Sequence, residues 1–208
     1  MLYEYLYASY YLACFLRYAA PFVNARTLLA EDSMNDLSQR VKASIIDVPH
    51  FPNDGVIFRD ITPLLKDPTL FNGILEWLAQ IAEEVGATLI AGVESRGFLF
   101  ATPLCHKLQL PCVMIRKPGK LPRAVHQIPY ALEYGTDTLE LHQEDCTAED
   151  RVLLVDDLLA TGGTAAAAAK LIEKSGATVA ALAFIVELQD LVQRDLLPQR
   201  KLYSLAKY

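Results

Sequence analysis

Between Arg151 and Thr164 the chain reads Arg-Val-Leu-Leu-Val-Asp-Asp-Leu-Leu-Ala-Thr-Gly-Gly-Thr. Two adjacent carboxylates, Asp156 and Asp157, stand where an apolar run ends, and a Gly/Thr turn follows them. Gly162 and Gly163 carry no side chain, so a phosphate can approach the backbone N–H groups of Ala160, Thr161 and their neighbours closely. Thr161 and Thr164 add hydroxyl donors. A helix opening at Thr164 would direct its positive dipole end and its unpaired N–H groups at the same point. Carboxylates cannot help to hold a phosphate, but Asp156 and Asp157 suit the hydroxyls of a sugar beside it, or the water shell of a metal. Phosphate and vicinal hydroxyls together describe a ribose 5-phosphate. The segment is no Walker loop, since no Lys follows the glycines, and GxGxxG is absent.

Cations stand at two further points. Arg96, beside Ser95 and Gly97, follows an apolar run at 88–93, and Arg116, Lys117 and Lys120 follow another at 111–115. In open α/β sheets ligands collect at the carboxyl ends of strands, where all of these residues would lie. Neither His50, His106 and His142 nor the cysteines Cys14, Cys105, Cys112 and Cys146 show metal-ligand spacing. The cysteines are expected as free, buried thiols. His126 reads as an exposed loop residue, and Asp145, Glu149 and Asp150 as a solvated turn.

The elements that must position these groups alternate along the chain. Helices are predicted over 34–46, 67–85, 98–108 with Pro103 near its start, and 164–175. Strands are predicted over 88–93, 111–115, 138–142, 151–155 and 178–186. The helix over 67–85 has the clearest signals: Asp67 to cap, Pro68 in the first turn, apolar residues at helical spacing, and Gly86 to close it; Trp77 on it reads as a core or interface residue. The stretch 116–129 reads as a basic loop rich in proline, of which 120–129 could serve as a lid. This βαβ alternation implies an α/β fold with a mostly parallel central sheet covered by helices on both faces.

With 208 residues, 52% of them apolar, the chain suits one α/β domain and excludes collagen-like or mostly disordered classes. A net charge of −6 argues against a protein that lives by wrapping nucleic acid. Residues 1–33 differ from the rest. Tyr3, Tyr5, Tyr7, Tyr10, Tyr11 and Tyr18 lie here, and Arg17 is the single charge between Tyr5 and Val23. That run is borderline in length for a membrane span, and no basic region precedes it as a secretory signal requires. Residues 1–33 are therefore expected to form an extension outside the fold, with Met34 opening a domain over 34–208; any membrane contact would rest on 1–33 alone.

Val155-Asp156-Asp157-Leu-Leu-Ala-Thr-Gly-Gly-Thr164 resembles the phosphoribosyl pyrophosphate (PRPP) motif of the type I phosphoribosyltransferases. The wider pattern is similar to their adenine-using branch, segment for segment over 34–208: Pro52-Asn-Asp-Gly-Val-Ile-Phe58-Arg59-Asp60, Glu94-Ser95-Arg96-Gly97-Phe98, Ile115-Arg116-Lys117-Pro-Gly-Lys120 and Leu132-Glu133-Tyr134-Gly135. The resemblance implies the type I fold with a small N-terminal hood, and conversion of adenine and PRPP to AMP and pyrophosphate in purine salvage. It implies Mg2+ carried by PRPP, without direct side-chain ligation, a homodimer and a cytoplasmic location. Ser95, Arg96, Arg116, Lys117 and Lys120 would meet the pyrophosphate, and Asp156, Asp157 and Ala160–Thr164 the ribose phosphate. Main-chain groups of Ile57 and Arg59 would read adenine between Phe58 and Leu188. Arg96 and Glu133 would be catalytic, Glu133 as acceptor of the N9 proton. A sister enzyme for another purine such as xanthine, and a PRPP-sensing regulator that binds nucleic acid, are the competing readings.

Overall fold

A computed structural model describes residues 34–131 and 136–208. Residues 34–44 are helical, and the unit that carries the chemistry is Val41–Tyr208. Its strands and helices follow in the order β1 (Ile46–Pro49), β2 (Ile57–Asp60), α1 (Pro68–Glu84), β3 (Leu89–Val93), α2 (Phe98–Leu108), β4 (Cys112–Ile115), β5 (Val125–Ala131), β6 (Thr136–His142), β7 (Arg151–Leu159), α3 (Gly163–Lys174), β8 (Thr178–Glu187) and β9 (Leu202–Lys207). Strands β4-β3-β7-β8-β9 form one parallel sheet in that order, while β1–β2 and β5–β6 are separate antiparallel pairs.

The parallel sheet arises because each central strand is apolar on both faces, and helices α2 and α3 make the crossovers from β3 to β4 and from β7 to β8. Alternate residues of β3, β4, β7 and β8 (Ala91, Val113, Leu154, Leu182) share a core with Ala165–Ala169, Leu171 and Ile172 of α3 and with Leu139 and Leu141 of β6. The alanine run lets α3 lie close on the sheet. On the other face Gly92 lets α2 approach, since a Cβ there would meet the Ala101 methyl at 2.8 Å. Helix α1 begins where expected: the Asp67 carboxylate accepts from the N–H groups of Thr69 (2.9 Å) and Leu70 (3.0 Å), and Pro68 occupies the first turn. Trp77 is buried with the core side of that helix.

Several expectations need correction. The helix expected over 34–46 ends at 44, because Ile46 opens β1 and pairs with Asp60, and His126, expected as an exposed loop residue, is a half-buried residue of β5. Strand β7 does not stop at Val155; it runs to Leu159, so Asp156 and Asp157 sit inside it, held in register by pairs such as Asp156 with Phe184 and Leu158 with Val186. The expected loop over 116–129 becomes β5 from Val125 onward, because Ile128 and Tyr130, two apart, turn inward against the α3 core. Pro129 is tolerated there because a two-stranded ribbon leaves one edge unpaired. Pro103 lies inside α2 rather than near its start. Cys105 and Cys146 are buried free thiols, but Cys112 is exposed, because it stands on the edge strand β4; Cys14 lies outside the described residues. Burial pushes the Cys146 thiol up to about 11.

Candidate active site

Because β3, β4, β7 and β8 are parallel, their carboxyl ends open on one edge of the sheet. A cavity of about 480 Å3 lies there, lined by Phe58, Glu94, Ser95, Arg96, Lys117, Asp156, Asp157, Ala160, Thr161, Gly162 and Thr164 among others. A second cavity of about 460 Å3 adjoins it, sharing Phe58, Ala160, Thr161 and Thr164 and adding Ile57, Arg59, Leu188 and Leu191.

The floor of the first cavity is the β7–α3 turn. Gly162 stands at φ +96°, a left-handed conformation that favours glycine, and caps α3 without a side chain. The first helical bond runs from the Ala166 N–H to the Gly162 carbonyl (2.9 Å), which leaves the N–H groups of Gly163, Thr164 and Ala165 without a helical acceptor. No side chain caps this end. It is a ready anion site. Gly163 itself faces a neighbouring hollow with Ala166, Ala167 and Lys170 rather than the main cavity.

The carboxylates beside the turn are electrostatically strained. Asp157 is buried, and its Oδ2 lies 2.8 Å from Nε of Arg96. Asp156 accepts from the backbone N–H of Asp157 at 2.9 Å. Burial, then the repulsion of Asp157, pushes the Asp156 carboxyl well above its usual range. Burial raises Asp157 too, with Arg96 pulling it back part of the way. Hydroxyl donors would relieve both groups.

Arg96 is the hub of the site. It pairs with Asp157, and its guanidinium carbon lies 5.2 Å from the centroid of the Phe58 ring. The loop that carries it crosses the ends of β3 and β7 at Gly97, where a Cβ would fall 2.7 Å from the Val93 carbonyl oxygen and 2.8 Å from that of Val155. Only glycine fits, and this close crossing presents Ser95 and Arg96 to the cavity. The Glu94–Ser95 peptide is cis.

The structure divides the remaining basic residues. Lys117 lines the cavity, where its ammonium is paired with Asp137 and with the Tyr130 hydroxyl at 2.7 Å. Burial lowers its pKa, but these two partners reverse the effect and raise it overall. Arg116 and Lys120 do not line either cavity. Arg116 donates to Glu94 at 3.1 and 3.3 Å and to the Lys120 carbonyl at 3.1 Å. Burial alone would raise Glu94, but Arg116 and the Lys117 N–H hold it below the usual range. Glu133 lies outside the described residues.

The second cavity is a slot with apolar walls. On one side β2 presents Ile57, 53% exposed, and Phe58, whose ring meets Phe51 edge-on at 5.2 Å. On the other, Leu188 and Leu191 follow β8. The Leu188 N–H donates to the Leu159 carbonyl (2.9 Å) and the Gln193 N–H to the Thr161 carbonyl (3.0 Å), so this wall is tied to the β7–α3 turn. Strand β2 pairs only with β1, which leaves its far edge free, and Ile57 and Arg59, two apart, share an edge.

Sequence reasoning missed several participants. Asp137 engages Lys117 because β5 and β6 pair Tyr130 with Asp137, a register invisible before the hairpin was known. Leu191 had no signal beyond its closeness to Leu188. His142, read only as lacking metal spacing, is buried, with Nδ1 3.1 Å from Asp145 and contacts to Arg123; Asp145 is thereby part of a side-chain cluster rather than a solvated turn. Among the described residues no group of three His, Cys, Asp or Glu side chains could hold a metal, and no helix is long and apolar enough to cross a membrane.

Comparison with known proteins agrees with this geometry. Residues 60–201 match the phosphoribosyl transferase domain. An adenine phosphoribosyltransferase of Synechococcus is 46% identical over 168 residues, spanning 81% of this chain and 98% of that protein. The crystal structure of the adenine phosphoribosyltransferase from Thermoanaerobacter pseudethanolicus superposes with a TM-score of 0.79 at 46% identity, covering 82% of this chain and 99% of that one. The Saccharomyces cerevisiae enzyme, solved with adenine and an imino-altritol bisphosphate, gives 0.78 at 34% identity, over 82% of this chain and 99% of that one. The domain match spans more than half of the chain and these relatives are covered almost whole, so the chain belongs to the adenine phosphoribosyltransferase family.

Proposed function

We propose that the protein joins adenine to PRPP, releasing pyrophosphate and forming AMP. The observation that carries this is the adjacency of two cavities that share Phe58 and Thr161: one floored by an uncapped helix start and two carboxylates, the other a flat apolar slot. Relatives named for the same reaction support it.

In this reading the 5-phosphate sits on the N–H groups of 161–165, and Asp156 and Asp157 accept from the ribose hydroxyls. That contact orients the anomeric carbon toward the slot. Adenine N9 forms the new bond to C1 as the C1–O bond to pyrophosphate breaks, with positive charge at C1 and growing negative charge on the leaving group. Arg96, Ser95 and Lys117 receive that leaving group; Arg116, which donates to Glu94 and to the Lys120 carbonyl, and Lys120 belong to the same basic loop. Phe58 and Leu188 sandwich the purine. The free edge of β2 offers main-chain N–H and C=O groups at Ile57 and Arg59 to the N1 and N6 pattern of adenine. Hypoxanthine and guanine reverse that pattern and would leave buried groups unpaired. The N9 proton passes to Glu133. Two carboxylates beside an uncapped helix start fit Mg2+ carried by PRPP, and Asp156 and Asp157 would hold its water shell. Bound there, it supplies charge neutralisation to the leaving group. The working form is a cytoplasmic homodimer of domain 34–208, with 1–33 outside the fold and nucleic acid no partner.

Product formation by the full chain with PRPP, Mg2+ and each of adenine, hypoxanthine, guanine and xanthine tests this. AMP from adenine should exceed product from any other base by about a thousandfold or more in kcat/KM, since mispaired polar groups discriminate strongly. Turnover with xanthine instead would keep the PRPP site and overturn the base assignment. PRPP binding without turnover would favour the regulator. Glu133→Ala should lower kcat by about a hundredfold, typical of a lost general base, with KM for adenine nearly unchanged; wild-type kcat would remove Glu133 from the reaction.

A further inference from the structure

We propose that Tyr208 is a positioning residue that sets the width of the purine slot by joining its two walls; the proposal rests on the adenine reading above. The two walls come from distant parts of the chain, β2 on one side and the end of β8 on the other. The hood wall is a two-stranded hairpin, an element that is marginal by itself and takes its position from what it touches. Something outside the hairpin must hold Phe58 at the right distance from Leu188.

Tyr208 touches both sides. Its backbone N–H donates to the Glu187 carbonyl at 2.9 Å, and its carbonyl accepts from the Gln189 N–H at 2.8 Å. Leu188 is thus bracketed by two hydrogen bonds to this one residue. Toward the hood, the ring of Tyr208 lies under the guanidinium of Arg59, 4.2 Å from carbon to centroid. Its hydroxyl donates to the Lys42 carbonyl at 3.3 Å, and the Lys42 ammonium lies 5.8 Å from the ring. Arg59 is itself paired with Asp47 across the hairpin, and its side chain is only 19% exposed, so it is a fixed point of β2 rather than a waving surface group. Phe58 is its immediate neighbour. Tyr208 touches neither cavity, so its effect is exerted through Leu188 and Arg59.

The consequence is specific. A slot that is too wide loses contact with a flat purine in the ground state and in the transition state alike, which raises KM and leaves kcat in place. PRPP, held at the β7–α3 turn, should not notice. Full-length Tyr208→Ala, Tyr208→Leu and Tyr208→Phe variants separate this from a merely structural role. Steady-state rates are measured with adenine varied at saturating PRPP and with PRPP varied at saturating adenine, beside melting curves. Tyr208→Ala and Tyr208→Leu should raise KM for adenine about tenfold, the scale of a partly buried cation–π contact. Their kcat and KM for PRPP should stay within about twofold. Tyr208→Phe keeps the ring face and should behave as the parent. Should the first two variants fail to fold, Arg59→Met removes the guanidinium from the ring and should give the same rise. An unchanged KM for adenine, an equal rise for both substrates, or no rescue by Phe would overturn the proposal. Parent turnover of another purine would overturn the adenine reading alone, since the same split is then read with that base.

Discussion

Asp156→Asn should weaken PRPP binding by about a hundredfold or more while making the unliganded protein more stable near neutral pH. The loss follows from charge-assisted hydrogen bonds to the ribose hydroxyls, each contributing about 1.5–3 kcal/mol. The gain follows from burial and from Asp157, which push the Asp156 carboxyl well above its usual range. A carboxyl with a raised native pKa destabilises the fold as pH rises from the ordinary carboxylate value through the raised one. Above that window the penalty is fully present, and asparagine removes it; below the ordinary value both proteins are neutral there and the difference vanishes. The gain reads as a melting temperature for Asp156→Asn above that of the parent at neutral pH. PRPP affinity of the parent should rise with pH through the same window, because the ionised carboxylate is the acceptor. Calorimetric titration with PRPP and melting curves at acidic and neutral pH read both effects. Unchanged PRPP affinity would remove the ribose assignment; a lower melting temperature at neutral pH would show that Asp156 stabilises the empty fold.

Arg96→Gln should lower kcat by about a hundredfold to a thousandfold, the usual effect of removing a donor aimed at developing negative charge. Arg96 faces Asp157 at 2.8 Å and the Phe58 ring at 5.2 Å, so it links the carboxylate pair at the end of β7 to the slot wall on β2. Its loss therefore has a second signature. Arg96 is the cation that pulls the Asp157 carboxyl back toward its ordinary range. Without it Asp157 rises further, and the pH at which PRPP binding develops should move upward. A variant with reduced kcat but an unmoved pH profile would mean that the guanidinium serves the leaving group alone. Parent-like kcat would place the leaving group elsewhere, with Lys117 the other basic residue lining the cavity. The close crossing at Gly97 makes Arg96→Gln a better probe than any change at Gly97, where a side chain would strike backbone and confuse folding with chemistry.

What could be read in advance was local. The strand, the carboxylate pair, the glycine turn and the helix start lie within one short stretch from Arg151 to Thr164. Their geometry is set by hydrophobic periodicity, by glycine and by helix-end chemistry, all of which act over a few residues. The same holds for Asp67 and Pro68 at the start of α1, and for Arg96 and Lys117 following apolar strands. The resemblance to the transferase family added Phe58, Leu188 and Glu133, which periodicity alone would leave as two core residues and a loop residue.

What the tertiary structure decided was pairing. The sheet runs β4-β3-β7-β8-β9, so neighbours in space are not neighbours in sequence. That order brings Arg96 to Asp157, ties Arg116 to Glu94, and seats Tyr208 beside Leu188. The hairpin register that gives Lys117 the partner Asp137 depends on Ile128 and Tyr130 finding the α3 core, a contact no local pattern encodes. Even the extent of β7 was a tertiary matter: Leu158 and Leu159 continue the strand because β8 is long enough to pair with them. Residue types and spacings determined which chemistry the chain can perform, because those preferences act within a few residues. Which charge meets which partner was decided by packing, because ion pairs, stacks and strand ladders form between segments that only the folded core brings together.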